Sequence, residues 1–381
     1  MSNALVVLGA TGSIGTQTLE VADRLGLEVA VVAARSPSAE LLAIANRYPD
    51  ARVVIAGGAG QDRDDFVAAA TNPVSFGTDE IEASAGVSGH TVVNGIVGVA
   101  GLRATVAALE AGNRVALANK ESLVAGGPVV MEALERGAGE LIPVDSEHSA
   151  LHQCLAGEPR GTVSRLILTA SGGPFRGRSR ESLAEVTSDE ALRHPTWSMG
   201  PRITIDSATM FNKGLEIVEA HHLFGIDFDR IEVLVHPQSI LHSAVEFADG
   251  AWKGHLGHPD MRIPIQYAIT YPDRSPSPVD RFTLAGLDLA FEAPDFDAFP
   301  ALSIAYAAGR AGGSAPAVMN GADEVAVEAF LQGRLGFLGI PEVVQRTIEA
   351  VETTPLETVD DVLAADREAR SVAASLIAGA C

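Results

Sequence analysis

Residues 194–216 read HPTWSMGPRITIDSATMFNKGLE and hold, in one short stretch, an imidazole, an indole, hydroxyls, an amide, an ammonium and a carboxylate. Ser207, Asn212 and Lys213 fall close together in a chain of net charge −22. In so acidic a field, a local set of hydrogen-bond donors and positive charge is suited to gripping a small anion. Glu216 follows Lys213 by three residues and brings a carboxylate beside that anion. Two adjacent negative groups repel unless a cation joins them. The segment therefore predicts a phosphorylated substrate and a divalent metal in one site.

A second cluster, PVDSEH, supplies more carboxylate. Residues two apart on an extended segment point to the same side, so Asp145 and Glu147 are expected to aim at one point, with Glu216 as a third ligand. Hard oxygen donors suit Mg²⁺ or Mn²⁺ rather than zinc. The histidines of HHLF at 221–224, with His236, His242, His255 and His258, lack the H-E-x-x-H or H-x-x-E-H spacing of zinc sites. A third motif, TASGGPF, follows an apolar strand at Leu166–Thr169. Its glycines let backbone amides approach an anion, and Ser171 adds a hydroxyl. Ser171, Ser207, Asn212 and Lys213 together form the predicted phosphate cage. Ser171 does not read as a nucleophile, because G-x-S-x-G is absent. Ile203–Ile205 reads as a further short strand ending at Asp206-Ser207. From His194 to Pro201 a proline-flanked loop carries Trp197 and Met199, a lid that could close over a substrate; a Trp anchoring the loop to the core is the competing reading. His236 and Ser239, past a strand at Ile231–Val235, read as supporting residues.

These groups need elements to hold them. Ala4–Leu8 is an apolar strand, and GATGSIG (Gly9, Gly12, Gly15) follows at once, opening a helix with Ile14, Thr18, Leu19 and Val21 inward. A strand, a glycine turn and a helix N-terminus together cradle a dinucleotide pyrophosphate. The second strand, Glu28–Ala33, ends in Ala34-Arg35-Ser36, with no acid for a ribose 2′-hydroxyl. Arg35 and Ser36 suit a 2′-phosphate, so NADP is expected over NAD. Further strands read at Arg52–Ala56, Thr91–Asn94, Arg114–Ala118 and Glu140–Val144, separated by helices such as Gly101–Ala111. That rhythm predicts a mostly parallel sheet with ligands beyond its carboxyl ends, where Asn119–Ser122 and Asp145–His148 fall. The expected fold is α/β: a Rossmann-like NADP-binding domain over 1–145, then a catalytic α/β domain over 146–270 with its lid loop at 194–201. A proline-rich linker follows over 271–300, then a C-terminal helical bundle over 301–381. Its helices read at Leu302–Arg310, Asp323–Leu331, Ile340–Val351 and Val359–Ala378, with Thr358 and Asp361 as a capping pair.

Acidic residues outnumber basic ones by 49 to 27, which disfavours nucleic acid and anionic lipid as partners. Two cysteines, Cys154 and the terminal Cys381, do not make a disulfide framework. The N-terminus lacks the basic start and long apolar core of a signal peptide, and no apolar run reaches the ~18 residues that span a bilayer. A cytoplasmic protein is expected.

Taken in order, GATGSIG, LANKESLV, PVDSEH, TASGGPF, HPTWSMG, DSATMFNKGLE and HPQSILHS closely resemble, essentially end to end, the motifs of the 1-deoxy-D-xylulose 5-phosphate reductoisomerase family. The resemblance implies an NADPH- and metal-dependent homodimeric enzyme of non-mevalonate isoprenoid biosynthesis, with 2-C-methyl-D-erythritol 4-phosphate as product. Carried over, it implies Asp145, Glu147 and Glu216 as metal ligands. Implied substrate contacts are Lys120, Ser146, Glu147, Ser171, His194, Ser207, Asn212, Lys213 and Glu216. Implied cofactor contacts are Thr11, Gly12, Ser13, Ile14, Ala34, Arg35, Ser36, Asn119, Glu121 and Gly200. Ala34-Arg35-Ser36 stands where some members have Gly-Lys-Asn: the positive charge is kept and a Cβ is added at 34. The implied chemistry is a retro-aldol cleavage and recombination, with the metal as Lewis acid, followed by hydride reduction of the resulting aldehyde. Lys120 would neutralise oxyanion charge and Glu147 accept a proton. Alternatives are another NADP-linked dehydrogenase of a phosphorylated substrate, a non-catalytic NADP-sensing module, and a metal phosphatase.

Overall fold

Strands and helices alternate from Ala4 onward in a computed structural model that describes residues 4–58, 60–197 and 199–380. The first stretch runs β1 (Ala4–Leu8), α1 (Ser13–Leu25), β2 (Val29–Ala34), α2 (Ala39–Arg47), β3 (Arg52–Ile55), α3 (Gln61–Ala69), β4 (Val74–Phe76), α4 (Thr78–Ala85), β5 (His90–Asn94), α5 (Leu102–Glu110), β6 (Arg114–Leu117), α6 (Lys120–Gly137), β7 (Glu140–Pro143) and α7 (Ser146–Leu155). The remainder runs β8 (Val163–Ala170), α8 (Ser188–Ala191), α9 (Pro201–Thr209), α10 (Phe211–Phe224), β9 (Ile231–Val235), β10 (Leu241–Phe247), β11 (Trp252–Leu256), α11 (Arg262–Thr270), α12 (Ala301–Ala311), α13 (Ala315–Leu331), α14 (Gly339–Ala350) and α15 (Val359–Ala380).

The chain packs as two units. One comprises the residues up to Ser122 with Val130–Ser149 and Asp260–Arg281; the other comprises Leu123–Val129, Ala150–Pro259 and Phe282 onward. In the first, seven parallel strands lie in the order β4-β3-β2-β1-β5-β6-β7. Leu5, Val6, Val7 and Leu8 are all fully buried, as expected of a central parallel strand covered on both faces. The strand order reverses between β1 and β5, and this switch point is where doubly wound sheets take their ligands. Helix α11 belongs here too: Ile265, Ala268 and Ile269 join the core, and Arg24 Nη1 donates to Gln266 Oε1 at 2.6 Å.

In the second unit, β11-β10-β8-β9 form a mixed sheet in which only β8 and β9 are parallel. Phe211, Leu215 and Ile217 of α10 pack with Leu302 and Ala305 of α12 and Val327 of α13 in one core. Thr358 and Asp361 cap α15 reciprocally: Thr358 N donates to Asp361 Oδ2 at 2.9 Å and Asp361 N to Thr358 Oγ1 at 3.2 Å. Among the described residues no helix is long and apolar enough to cross a membrane.

The elements depart from the sequence expectations in places. Ile203–Ile205 is not a strand; it lies inside α9, which opens with Gly200 as N-cap and Pro201 in the first turn. Pro favours that position, and burial of Thr204, Ile205 and Ala208 follows the helical period that three residues were too few to reveal. β2 runs on to Ala34, and α13 begins at Ala315 rather than Asp323. The short β4 and the hairpin β10–β11 were not anticipated.

Candidate functional site

The glycine turn of the first unit is built by close approach. Gly9 has φ +81°, and a Cβ at Gly15 would lie 2.2 Å from the Gly9 carbonyl oxygen. Only glycines let the start of α1 press onto the end of β1 in this way. Gly12, the N-cap, contributes no side chain, and Gly12 and Ser13 are exposed beside Thr11 and Ile14. The result is an open helix N-terminus of the kind that binds phosphate. Ala34 ends β2 in a buried position, and Arg35 and Ser36 follow it exposed. Asn119 and Glu121 brace the loop after β5: Asn119 Nδ2 donates to Ile96 O at 2.6 Å and Gly98 O at 2.8 Å, and Gly98 N donates to Glu121 Oε1 at 3.0 Å.

PVDSEH is not extended as anticipated. Pro143 closes β7, and Ser149 N donates to Asp145 O at 2.8 Å, so Asp145 sits at the head of α7 and Glu147 in its first turn. The reason lies downstream: Ala150, Leu151 and Cys154 bury one helical face. At a helix start the neighbours are three apart, not two, and His148, to which the sequence assigned no role of its own, lies with Nδ1 4.0 Å from Asp145 Oδ1. The D-x-x-H spacing was its available signal. Lys120, at the start of α6, is buried and ion-paired with Asp145. Burial opposes charge on Asp145, but the Lys120 ammonium and His148 outweigh it and hold the carboxyl well below the usual carboxylate range. Ser146 Oγ donates to Glu147 Oε2 at 2.5 Å.

The residues of the expected anion cage all lie in the second unit. A Cβ at Gly173 would lie 2.7 Å from the Ser207 carbonyl oxygen, so the turn after β8 abuts the end of α9. Met210, buried at φ +68°, makes the left-handed joint between α9 and α10. In the first turn of α10, Asn212 Nδ2 donates to Glu216 Oε1 at 2.6 Å and Lys213 ion-pairs with Glu216 Oε2. The two donors expected on the anion thus also grip the carboxylate expected on the metal.

His194 links Ser171 to the loop that carries Trp197. Thr196 N and Trp197 N both donate to its Nδ1, at 3.1 and 2.9 Å, which leaves Nε2 to carry the proton toward Ser171 Oγ, 3.0 Å away. Burial lowers the His194 pKa. A depressed pKa means that the unfolded form takes up its proton first, so this anchor stabilises the loop at and above neutrality and is lost as pH falls through the folded value. Ligand-free protein carrying Trp252→Phe should therefore change its Trp197 fluorescence below the free-imidazole range, and His194→Gln should remove that step. An unaltered titration in His194→Gln would exclude the anchor. The Trp197 ring is tilted against His242, 6.5 Å between centroids, and Met199 is partly buried. His236 serves the fold: it stacks on Phe291 at 4.6 Å, its Nδ1 meets Ala290 O at 2.8 Å, and Ile240 N donates to its Nε2 at 3.1 Å.

A doubly wound sheet whose second strand leads into an exposed arginine in place of an acid fits an NADP-linked oxidoreductase. Family models place it further. That described as 1-deoxy-D-xylulose 5-phosphate reductoisomerase matches residues 5–127, that of its C-terminal domain 141–224, and a further DXP reductoisomerase C-terminal domain 256–372. The 1-deoxy-D-xylulose 5-phosphate reductoisomerase of Heliobacterium modesticaldum is 50% identical over 98% of this chain and 97% of its own. The Zymomonas mobilis enzyme, solved in complex with NADPH, superposes with a TM-score of 0.92 at 42% identity, covering 99% of each chain. A DOX-P reductoisomerase solved with NADPH, fosmidomycin and magnesium superposes equally, at 0.92 and 36% identity over 98% of each chain. The chain belongs to the 1-deoxy-D-xylulose 5-phosphate reductoisomerase family.

Proposed function

We infer that this chain is the NADPH- and divalent-metal-dependent enzyme that isomerises and reduces 1-deoxy-D-xylulose 5-phosphate to 2-C-methyl-D-erythritol 4-phosphate in the non-mevalonate route to isoprenoids. The observation that carries this is identity of 50% to a reductoisomerase over essentially the whole of both chains. We read 1–145 as the cofactor domain, 146–270 as the catalytic domain with its lid at 194–201, save that α11 packs in the first unit, 271–300 as linker and 301–381 as helical support sharing the core of the second unit.

The donor set fits a hard divalent cation. Asp145 is held ionised and Glu216 is a buried carboxylate, each already answered by a lysine. Asp145, Glu147 and Glu216 would hold Mg²⁺ or Mn²⁺, which when bound supplies Lewis acidity at the substrate's oxygens. NADPH supplies the hydride, held by Thr11, Gly12, Ser13, Ile14, Ala34, Arg35, Ser36, Asn119, Glu121 and Gly200. The protein's own residues position and protect. Ser171, His194, Ser207, Asn212 and Lys213 receive the phosphate, whose binding energy orients the reacting carbons. Lys120 offsets negative charge developing on a substrate oxygen, Glu147 takes a proton with Ser146 orienting it, and Trp197 and Met199 exclude water. Trp252, Leu256, Leu284, Leu287 and Phe296 are exposed apolar side chains that a homodimer contact would cover. A cytoplasmic setting accords with the thiol chemistry, Cys154 being a buried free cysteine.

The test is NADPH absorbance on adding 1-deoxy-D-xylulose 5-phosphate, with Mg²⁺ or Mn²⁺ and again with chelator. Oxidation that needs both substrate and metal is expected; none with folded, metal-loaded protein would refute the assignment. For the cofactor, Arg35→Glu should raise the NADPH KM about a hundredfold, the loss of a ~3 kcal/mol charged hydrogen bond, and leave NADH nearly unaffected. Unchanged NADPH affinity in that variant would move the 2′-phosphate elsewhere.

A further inference from the structure

Beyond the carboxyl ends of β5 and β6, the first unit encloses a set of polar side chains in an otherwise apolar interior. Asn94 ends β5, Thr105 faces it from α5, and Asn119 and Ser122 open α6; all are buried to within 1% of their surface. Their hydrogen bonds run on from one to the next. Asn94 Nδ2 donates to Thr105 Oγ1 at 2.8 Å and to Gly101 O at 2.9 Å. The Thr105 and Ser122 hydroxyl oxygens are 3.2 Å apart, and Ser122 Oγ donates in turn to Asn119 Oδ1. That bond uses the Ser122 proton, so Thr105 is the donor between the two hydroxyls. Thr105 Oγ1 also lies 3.1 Å from Gly101 O, an acceptor that Asn94 already serves. The chain closes into a ring through the loop after β5: Asn119 Nδ2 donates to Ile96 O at 2.6 Å, and Ile96 N donates to Asn94 Oδ1 at 3.1 Å.

From this ring we propose that Thr105 is a positioning residue for the cofactor: its hydroxyl joins Asn94 to Ser122, and through them holds the 95–98 loop and the Asn119 amide against the glycine turn. The proposal rests on the family reading above, in which that turn, Asn119 and Glu121 receive NADPH. Each link is a contact within the first unit. Gly95 N donates to Leu8 O at 2.9 Å, a Cβ at Gly9 would lie 2.6 Å from Gly95 O, and a Cβ at Gly95 would lie 3.3 Å from the Ile14 side chain. The loop is thus one wall of the turn. Glu121 is tied to the same ring, because Asn119 Nδ2 donates to its Oε2 at 3.0 Å and Gly98 N to its Oε1 at 3.0 Å. The loop has a glycine at each end and carries Val97, 70% exposed, at its tip, so its course is set from beneath. Valine has the shape of threonine and would fill the space at 105 without a polar group to satisfy. Buried hydroxyls and amides are costly unless bonded, but a fully bonded network admits one arrangement. Without the Thr105 hydroxyl, Asn94 loses an acceptor and Ser122 a donor, and both arms that hold the loop are loosened at once.

The test uses the full chain and compares Thr105→Val, which removes the hydroxyl at constant shape, with Thr105→Ser, which keeps it. Calorimetric titration with NADPH, without substrate, should give a Kd about tenfold weaker in Thr105→Val and within about twofold of wild type in Thr105→Ser. At saturating NADPH, the KM for 1-deoxy-D-xylulose 5-phosphate should stay within about twofold in both. A merely structural role would lower the melting temperature of Thr105→Val and leave its NADPH Kd unchanged, which overturns the proposal. Thr105→Ser as weak as Thr105→Val overturns it too, since the loss would then trace to the methyl group. Should Thr105→Val not fold, Ser122→Ala cuts the ring at the next link: an NADPH Kd about fivefold weaker is expected, and an unchanged one is contradictory. The binding readout needs no turnover. Wild-type protein that binds NADPH but does not convert 1-deoxy-D-xylulose 5-phosphate would refute the family reading while the Thr105 comparison still decides the proposal; wild-type protein that does not bind NADPH would refute both.

Discussion

Asp145→Asn should lower kcat/KM about a thousandfold, equivalent to ~4 kcal/mol of transition-state stabilisation, while NADPH binding stays within a few-fold of wild type. The amide is nearly isosteric, so the fold at the head of α7 is kept. What disappears is the charge that pairs with Lys120 and that a divalent cation would require. Lys120 is left buried beside a neutral group, which removes its restraint as well as its partner. The same substitution should alter the acid limb of stability. Because Asp145 is held below its ordinary range, its contribution is present above the unfolded carboxylate pKa and is lost as pH falls through the lower folded value. Melting temperature against pH should thus fall less steeply on the acid side in Asp145→Asn than in wild type. Steady-state NADPH oxidation with and without added Mg²⁺ reads the first effect; activity near wild type would remove Asp145 from the metal site.

Lys213→Met should damage folding and function together. The Lys213 and Glu216 side chains are 4% and 1% exposed, so removing the ammonium leaves a carboxylate with little water to turn to. Breaking one side of a buried pair costs about 3–5 kcal/mol. Asn212 still donates to Glu216, which places the expected loss near the lower bound, ~3 kcal/mol by chemical denaturation. The proposed anion cage loses its lysine in the same step, and kcat/KM should fall a further hundredfold or so in the protein that remains folded. A Lys213→Met protein of unchanged stability would mean that Glu216 is neutralised by other groups.

Much of this protein was legible from residue order. GATGSIG after an apolar strand announced the first sheet, because a strand, a tight turn and a helix start leave a local pattern of types and spacings. Thr358 and Asp361 announced the start of α15 for the same reason, as a cap is made within four residues. The chemical classes proposed for the site also rest on residue types alone: hard carboxylates, a lysine with amide and hydroxyl donors, an aromatic loop.

What the sequence could not carry was anything decided by groups far apart in the chain. Ile203 and Ile205 alternate like a strand, and only a core on one side of α9 makes them helical. Asp145 and Glu147 looked like neighbours on an extended segment until the packing of Leu151 and Cys154 wound that segment into α7 and gave Asp145 the partner His148. The tertiary structure alone joined Ser171 to His194. Side-chain types and local spacing determine which reactions are possible. Burial and long-range contact determine which carboxyls keep their protons and which face each residue presents.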